Sequence, residues 1–337
     1  MNKEDKNTHI LVTGGAGFIG THLVNELVRR HKNITIDVVD NLSNSFIDDD
    51  RKFFFKKHNI SFYESSVSGF AFPEGRKYSQ IYHLASPVGP AGVLNYAGSM
   101  GVMIINDALK MARRAIEDGA KLLCVSTSEV YGSHPEGDKP QQEDIPKIVP
   151  ARITVRLEYG VGKLLMEIAL LNLAKVEPLY VNFIRPFNII GPLQKGKVGF
   201  VVPRFVDAVL KGEPLTIFGD GSQKRTFTHV VDIVEAFLML MAGNHKGKIY
   251  NVGNPKNLYS IKELAERIVQ LSGSSSEIHR IDPKTLYGPL YEEAWNKIPN
   301  IGRISEDLGW QPKYSLDEIL EECIDFARGN RNYLNPF

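Results

Sequence analysis

A glycine-rich segment near the start of the chain restricts the fold more than any other feature. The apolar run HILVT at 9–13 leads into GGAGFIG at 14–20, and a helical pattern of apolar residues comes next. This order of strand, glycine turn and helix is typical of a dinucleotide-binding unit. The glycines permit the turn, let the backbone approach a pyrophosphate and allow tight packing of helix on strand, while the helix N-terminus faces the phosphates.

A carboxylate occurs at the spacing that such a unit requires. The second apolar run, ITIDVVD at 34–40, ends in Asp40, about 20 residues after Gly20, where an acid binds the adenosine ribose hydroxyls. Asp40 would repel a 2′-phosphate, and no arginine occurs between Asp40 and Arg51, so the sequence predicts NAD rather than NADP. The alternative is a glycine-rich turn beside a solvated strand-end aspartate.

The rest of the chain alternates apolar runs with helical patterns. The runs lie at 80–85, 122–125 and 179–184, and the helical patterns at 103–115 and 164–174. This alternation predicts an α/β fold with a Rossmann-type, doubly wound parallel sheet. After residue 185 prolines and glycines break the chain into shorter elements. We expect a NAD-binding domain of residues 1–184 plus about 226–254, and a smaller C-terminal α/β substrate lobe of residues 185–225 and 255–337.

Charge and cysteine content exclude several other classes of protein. Lysine and arginine total 40 against 39 acidic residues, so no net field would attract nucleic acid or an anionic membrane. The start, MNKEDKNTHI, lacks a signal peptide, and no apolar stretch is long enough to span a membrane. Cys124 and Cys323 have no metal-ligand or redox spacing. We expect a soluble cytoplasmic protein without a metal.

A tyrosine and a lysine four residues apart form the candidate catalytic pair. In YGVGK at 159–163, Tyr159 and Lys163 share one face of a predicted helix. The ammonium and an oxidised nicotinamide would both favour the phenolate, which could accept a proton from an alcohol as hydride leaves the carbon. The hydroxyl residues Ser126, Thr127 and Ser128 come after an apolar run upstream, and Glu129 stands directly after them.

These motifs, taken together, resemble a known family. TGGAGFIG (13–20), VVDNLSN (38–44), YHLASP (82–87), STSEVYG (126–132), YGVGK (159–163), RPFNIIGP (185–192), GDGSQKRTFTHVVD (219–232) and NVGNP (251–255) occur in the order found in extended short-chain dehydrogenase/reductases that modify nucleotide sugars. The resemblance covers nearly the whole chain, and the set of motifs is highly specific. It implies an enzyme that oxidises C4 of a nucleotide-diphosphate sugar with tightly held NAD, and a homodimer packed through helices at roughly 98–117 and 157–175.

The resemblance also assigns site residues. The catalytic set would be Tyr159, Lys163 and Thr127, with Ser128 and Glu129 beside them. The cofactor would contact Gly14, Gly17, Phe18, Ile19, Gly20, Asp40, Asn41, Ser66, Val67, Leu84, Ala85 and Ser86, together with Tyr159 and Lys163. The substrate would contact Ser86, Asn188, Val202, Arg225 and Lys297, and an arginine suits a diphosphate because its fork can pair with phosphate oxygens.

Glu129 bears on the fate of the 4-keto sugar. A 4-ketone acidifies the C5 proton and labilises a C6 carboxylate, so a carboxylate beside Thr127 serves chemistry beyond C4 oxidation. STSE resembles UDP-glucuronate decarboxylases and, almost equally, the GDP-mannose type of 4,6-dehydratase. The alternatives are a 4-dehydrogenase, a 4-epimerase, a non-catalytic NAD-binding regulator, or a Glu129 that only orients a loop.

Three features of the sequence, at four positions, depart from the family pattern. Decarboxylases carry an arginine two residues before a proline near the C-terminus, where this chain has Lys297 and Pro299. Lysine can pair with a carboxylate, but not bidentately. Ser66 stands where an aspartate usually contacts adenine. Met100 and Met103 replace a usual Asn and Gly, which leaves Asn106 as the nearby amide.

Overall fold

A fully parallel sheet of seven strands forms the centre of the protein. The computed structural model describes residues 8–89, 92–132, 139–149, 151, 153–196, 199–288 and 296–330. The sheet strands are β1 (Thr8–Thr13), β2 (Ile34–Asp40), β3 (Ile60–Glu64), β4 (Gln80–His83), β5 (Lys121–Val125), β6 (Tyr180–Pro186) and β11 (Ile249–Val252). Their order across the sheet is β11-β6-β5-β4-β1-β2-β3. The predicted α/β class with a doubly wound parallel sheet is therefore confirmed.

Helices cover both faces of this sheet, because its strands are apolar on both sides. The helices of this part of the chain are α1 (Phe18–Arg30), α2 (Asp49–Lys57), α3 (Met100–Asp118), α4 (Val155–Val176) and α6 (Val230–Ala242). Residues of α1 and α6 pack in one core cluster with one face of the sheet. Residues of α3 and α4 pack in a second cluster with the other face.

The register of the strands brings their carboxyl ends to one edge. Thr13 of β1 pairs with Val39 of β2 and with His83 of β4, and His83 pairs with Cys124 of β5. The loops after these strands therefore meet at this edge. The chain winds outward from β1 in both directions, so the edge between β1 and β4 is the switch point at which such sheets bind ligands.

A separate apolar core lies in the later part of the chain. The elements of this part of the chain are β7 (Ile189–Ile190), α5 (Val201–Lys211), β8 (Leu215–Phe218), β9 (Lys224–Thr226), β10 (Thr228–His229), β12 (Leu258–Ser260), α7 (Ile261–Ser272), β13 (Ile278–Ile281), α8 (Lys284–Tyr287), α9 (Gly302–Leu308) and α10 (Leu316–Ala327). Of these, α9 packs through Ile304 in the same cluster as α1 and α6. Phe205, Leu264 and Leu320 are among the fully buried residues of this core. Since α6 packs on α1 and β11 joins β6, we propose the two-part division expected from the sequence.

Helix α4 is longer than its predicted extent, and helix α7 begins with a capping motif. The pattern at 164–174 belongs to α4, which begins at Val155 after the N-cap Thr154, so Tyr159 lies inside the helix. Ser260 caps α7 in a capping box with Glu263, and the Ser-x-x-Glu spacing at 260–263 is typical of such a helix start. In the described part of the chain, every helix is too short or too polar to span a bilayer.

Candidate active site

One cavity of about 630 Å³ opens at the carboxyl edge of the sheet and extends to the later lobe. Of the site residues predicted from the sequence, those on its wall are Gly14, Gly17, Phe18, Ile19, Gly20, Asp40, Asn41, Ser66, Val67, Leu84, Ala85, Ser86, Thr127, Ser128, Glu129, Tyr159, Lys163, Asn188, Val202 and Arg225. Lys297 is the exception, since it is buried against Glu129 and is not part of this wall. Folding thus collects residues from distant parts of the sequence around one space.

The glycine turn after β1 has room for no side chain at two of its positions. Gly14 has a φ of +74°, and a Cβ there would lie 2.8 Å from the Ala85 backbone nitrogen. A Cβ on Gly20 would lie 2.1 Å from the Gly14 carbonyl oxygen. A Cβ on Gly17 would meet only that same oxygen, at 3.2 Å, because the rest of its surroundings is cavity. The turn is therefore tightly packed at Gly14 and Gly20 and open at Gly17, where a pyrophosphate would approach.

Asp40 is fixed at the cavity by the backbone around it. One carboxylate oxygen accepts a hydrogen bond from the Ala16 backbone N–H (3.1 Å), and the other accepts from the Leu42 N–H (2.9 Å) and the Ser45 hydroxyl (2.8 Å). A carboxylate has further lone pairs, so Asp40 can still accept from ribose hydroxyls. Arg51 donates to Asn25 and is buried, away from the cavity wall. These residues fit NAD without a 2′-phosphate.

Tyr159, Thr127 and Lys163 meet at the end of β5. The Thr127 hydroxyl lies near the Tyr159 phenol on the cavity wall, and Lys163 donates to the Val125 carbonyl oxygen at 2.8 Å. Burial lowers the pKa of Lys163 to about 8, so the ammonium form still dominates at neutral pH. Burial raises the pKa of Tyr159 above its ordinary value, and the nearby Thr127 hydroxyl opposes that rise. The arrangement holds a phenol beside a hydroxyl and near a cation on the cavity wall.

The other two serines of this segment have different surroundings. Ser126 lines the cavity and donates to Glu167 at 2.5 Å, and Glu167 forms a buried ion pair with Arg185, so Ser126 links the wall to the residues behind it. Ser128 also lies on the cavity wall and begins a short 3-10 helix, Ser128–Tyr131. Thr127 is the N-cap of that helix, and its hydroxyl accepts from the Glu129 backbone N–H at 3.2 Å. The hydrogen bond fixes the direction in which Glu129 leaves the strand.

Glu129 is held by two cationic side chains. Arg156 donates two hydrogen bonds to its carboxylate, at 2.7 and 2.6 Å, and Lys297 forms an ion pair with one of the same oxygens. Burial raises the pKa of Glu129, but the charges of Arg156 and Lys297 outweigh that effect and hold it well below its ordinary value. Burial lowers the pKa of Lys297 to about 8. Glu129 is therefore ionised, and its negative charge is paired with the positive charges of Arg156 and Lys297.

Arg156 was not among the residues predicted from the sequence. It lies one helical turn before Tyr159 on α4 and lines the same cavity. That spacing was the available signal, because residues three apart on a helix share a face. Arg156 also supplies the bidentate guanidinium that the chain lacks at position 297.

Two of the predicted ligand contacts have unsatisfied polar atoms. The Ser86 hydroxyl and the Asn188 side-chain nitrogen are buried on the cavity wall without a hydrogen-bond partner in the described residues. Asn188 also has a φ of +39°, in the left-handed region. Because an unpaired buried polar group is costly, such atoms indicate a ligand that supplies the missing partner. Arg225 and Val202 lie on the wall contributed by the later lobe.

Comparisons with a family model, with related sequences and with a solved structure agree on the kind of protein that this chain resembles. Residues 10–253 match the model of the NAD dependent epimerase/dehydratase family. A UDP-N-acetyl-alpha-D-glucosaminuronate decarboxylase from Bacillus cytotoxicus is 33% identical over 96% of this chain and 98% of the relative. UDP-glucuronic acid decarboxylase 6 from Arabidopsis thaliana is 34% identical, over 96% and 90% of the two chains. The structure of a UDP-glucose 4-epimerase from Thermus thermophilus complexed with NAD superimposes with a TM-score of 0.80 at 25% identity, covering 96% and 99% of the chains.

Proposed function

Because the chain belongs to the NAD-dependent epimerase/dehydratase family, we propose that it decarboxylates the uronic acid sugar of a UDP-linked substrate. It is an NAD-dependent enzyme that modifies a nucleotide sugar. Membership of the family leaves open which sugar the enzyme accepts and which reaction comes after oxidation at C4. Relatives that match almost its whole length carry decarboxylase names, which supports a uronic acid substrate.

The surroundings of Glu129 are the observation that carries the proposal. A base for dehydration at C5 needs a carboxylate free to take a proton, and Glu129 is tied by two hydrogen bonds and an ion pair. Decarboxylation requires no base at C5, because the carbon–carbon bond supplies the electron pair. The cluster also holds two cations against one carboxylate, so a second carboxylate, at C6 of the substrate, balances its charge.

Tyr159, Thr127 and Lys163 would act on the C4 hydroxyl. Thr127 positions this hydroxyl by a hydrogen bond, and Tyr159 accepts its proton. The Lys163 ammonium favours the phenolate form of Tyr159 that this step requires. NAD, when bound, would accept the C4 hydride and return it to C4 after the enolate formed by decarboxylation has taken a proton from water at C5, so that the product is a pentose.

Arg156 and Glu129 would act on the acid group. The C6 carboxylate of the 4-keto sugar is β to the ketone, so the C5–C6 bond breaks with its electrons passing into an enolate at O4. Thr127 and Tyr159 donate hydrogen bonds to that oxygen and stabilise the charge. The Arg156 guanidinium lies on the cavity wall and would face the departing carboxylate as a positive charge, while Glu129, which accepts from its Nε and Nη2, keeps it oriented.

We expect incubation with UDP-glucuronate and NAD to yield a UDP-pentose, detected by mass spectrometry as the loss of one carbon dioxide. UDP-N-acetylglucosaminuronate is the second substrate to test, since one relative carries that name. UDP-glucose serves as the matched control, because it lacks only the acid group. A product that has lost water from UDP-glucose or GDP-mannose would contradict the proposal and assign a 4,6-dehydratase. An unchanged mass with inverted C4 would assign an epimerase, and a ketone that is released would assign a 4-dehydrogenase.

An apolar stripe on α4 supports the predicted homodimer. Val161, Leu165 and Ile168 of α4 are 38%, 49% and 48% exposed, and Val102 of α3 is 65% exposed. The first three recur at helical spacing and form one stripe. A second copy of this chain would cover it, because the stripe lies on α4, which the resemblance places with α3 at a dimer interface. We propose this face as the dimer interface.

We expect the wild-type chain to be a dimer in light scattering after size exclusion, and Leu165→Glu with Ile168→Glu to be a monomer, because each charge would be buried in the interface. Leu210→Glu on α5 is the control, since Leu210 is also 38% exposed but lies outside the stripe. A monomeric wild-type protein would contradict the proposal, as would a double variant that remains a dimer.

A further inference from the structure

The adenosine end of the cavity lies between the loop after β3 and helix α3. Asp40 marks the position of the ribose, and β3 is the next strand outward from β2 at the sheet edge. Val67 and Phe70 of the loop pack in the same core cluster as Ile104 and Ala108 of α3. A nucleotide whose ribose lies at Asp40 therefore directs its base into the space between this loop and this helix.

The loop itself offers a weak acceptor for an adenine amino group. The Ser66 hydroxyl accepts a hydrogen bond from the Gly69 backbone N–H at 3.0 Å and shares another with the Ser68 hydroxyl at 3.1 Å. These contacts hold the loop in its turn. They leave the Ser66 hydroxyl little capacity to accept a hydrogen bond from a ligand, so Ser66 is a weak substitute for the usual aspartate.

Asp107 of α3 lines the cavity, is partly buried and lies near the Ser68 backbone N–H, which places it beside the loop after β3. Burial raises the pKa of Asp107, and the charges of Lys110 and Lys163 and the Ser68 N–H oppose that rise. The carboxylate is thus an acceptor on the cavity wall, and a donor group on a ligand would stabilise its charged form.

Lys110 holds the loop against α3 one turn further along. Its ammonium donates to the Ser68 carbonyl oxygen at 2.8 Å and to the Phe70 carbonyl oxygen at 2.6 Å. Residues 107 and 110 are three apart and share a helix face. The two Lys110 hydrogen bonds therefore fix the loop against the face of α3 that carries Asp107.

We propose that Asp107 accepts a hydrogen bond from the exocyclic amino group of adenine and so supplies, from α3, the carboxylate that this chain lacks at position 66. Asp107 is a binding residue that selects adenine over bases carrying an oxygen at that position. The inference depends on NAD binding and is independent of the proposed decarboxylation, so either can fail without the other.

The test compares NAD with nicotinamide hypoxanthine dinucleotide, which carries an oxygen in place of the amino group. Calorimetric titrations use the full chain after removal of copurifying dinucleotide, with circular dichroism to check folding. We expect the wild type to bind NAD about 10-fold more tightly, because the oxygen cannot donate to a carboxylate. Asp107→Leu should abolish this preference. Asp107→Asn should abolish or invert it, since its amide can donate to the hypoxanthine oxygen.

The ratio of the two affinities separates recognition from a structural role. If Asp107 only positions the loop or adjusts the charge near Lys163, both dinucleotides weaken equally in the variants and the ratio stays at its wild-type value, which overturns the proposal. A wild-type protein without a preference also overturns it. Asp207→Asn is the control, because Asp207 pairs with Lys211 on the exposed face of α5 and is not on the cavity wall.

Discussion

Replacement of Tyr159 by phenylalanine should lower the rate of hydride transfer by about 1,000-fold, within the range that general acid–base groups contribute. The phenol lies near the Thr127 hydroxyl on the cavity wall, so it is placed to exchange a proton with a sugar hydroxyl. Phenylalanine keeps the ring and its packing but removes the proton acceptor. The measurement is the single-turnover appearance of reduced nicotinamide after mixing enzyme, NAD and sugar nucleotide.

The affinity for NAD shows whether the loss is chemical. We expect the dissociation constant for NAD in Tyr159→Phe to stay within about threefold of the wild type, since one neutral hydrogen bond contributes about 1 kcal/mol or less. Tyr180→Phe is the matched control, because Tyr180 donates to the Gly243 carbonyl oxygen and is not on the cavity wall. Turnover that survives in Tyr159→Phe would remove Tyr159 from the mechanism and leave a bound cofactor without its proposed acid–base partner.

The nucleotide-binding half of the molecule could be predicted because its signals are local. The glycines at 14, 17 and 20, the apolar runs and Asp40 each act on residues close in sequence or on adjacent parallel strands. The structure shows why substitution is restricted, since a Cβ at Gly20 would collide with the Gly14 carbonyl. A local pattern with one geometric solution determines both the turn and the fold class.

The partners of Glu129 could be predicted only in part, because they depend on how separate segments pack. Glu129 and Arg156 are brought together by the contact between the 3-10 helix and α4, where Gly160 lets the helix approach the Glu129 backbone. Lys297 belongs to a distant segment and pairs with Arg225 through an isolated β-bridge. The resemblance placed Lys297 on the substrate, whereas the structure places it against Glu129, away from the cavity wall. Such contacts between distant segments are not encoded in spacing.

The second large effect is expected for Arg156→Leu, which should lower kcat/KM for UDP-glucuronate by about 100-fold. The change removes the two hydrogen bonds to Glu129 and the positive charge proposed to face the sugar carboxylate, and truncating one member of a partly buried charge pair costs about 2 kcal/mol or more. Arg156→Lys should recover part of the loss, because an ammonium keeps the charge but not the bidentate geometry. The measurement is steady-state decarboxylation, with product mass as a check.

Binding measurements distinguish recognition of the carboxylate from damage to the pocket. The wild type should bind UDP-glucuronate more tightly than UDP-glucose, and Arg156→Leu should lose that preference while its affinity for UDP stays unchanged. Equal weakening of all three ligands would mean that Arg156 only supports the fold.

Glu129→Gln provides the opposite test, because it leaves two cations without their carboxylate. UDP-glucuronate should then bind at least as tightly as to the wild type, while turnover falls because the guanidinium is no longer oriented. If Glu129 were instead the base that takes the C5 proton, the affinity for UDP-glucuronate would not depend on its charge, and Glu129→Gln would abolish loss of water rather than loss of carbon dioxide. The two cations that hold Glu129 ionised make the first outcome the expected one.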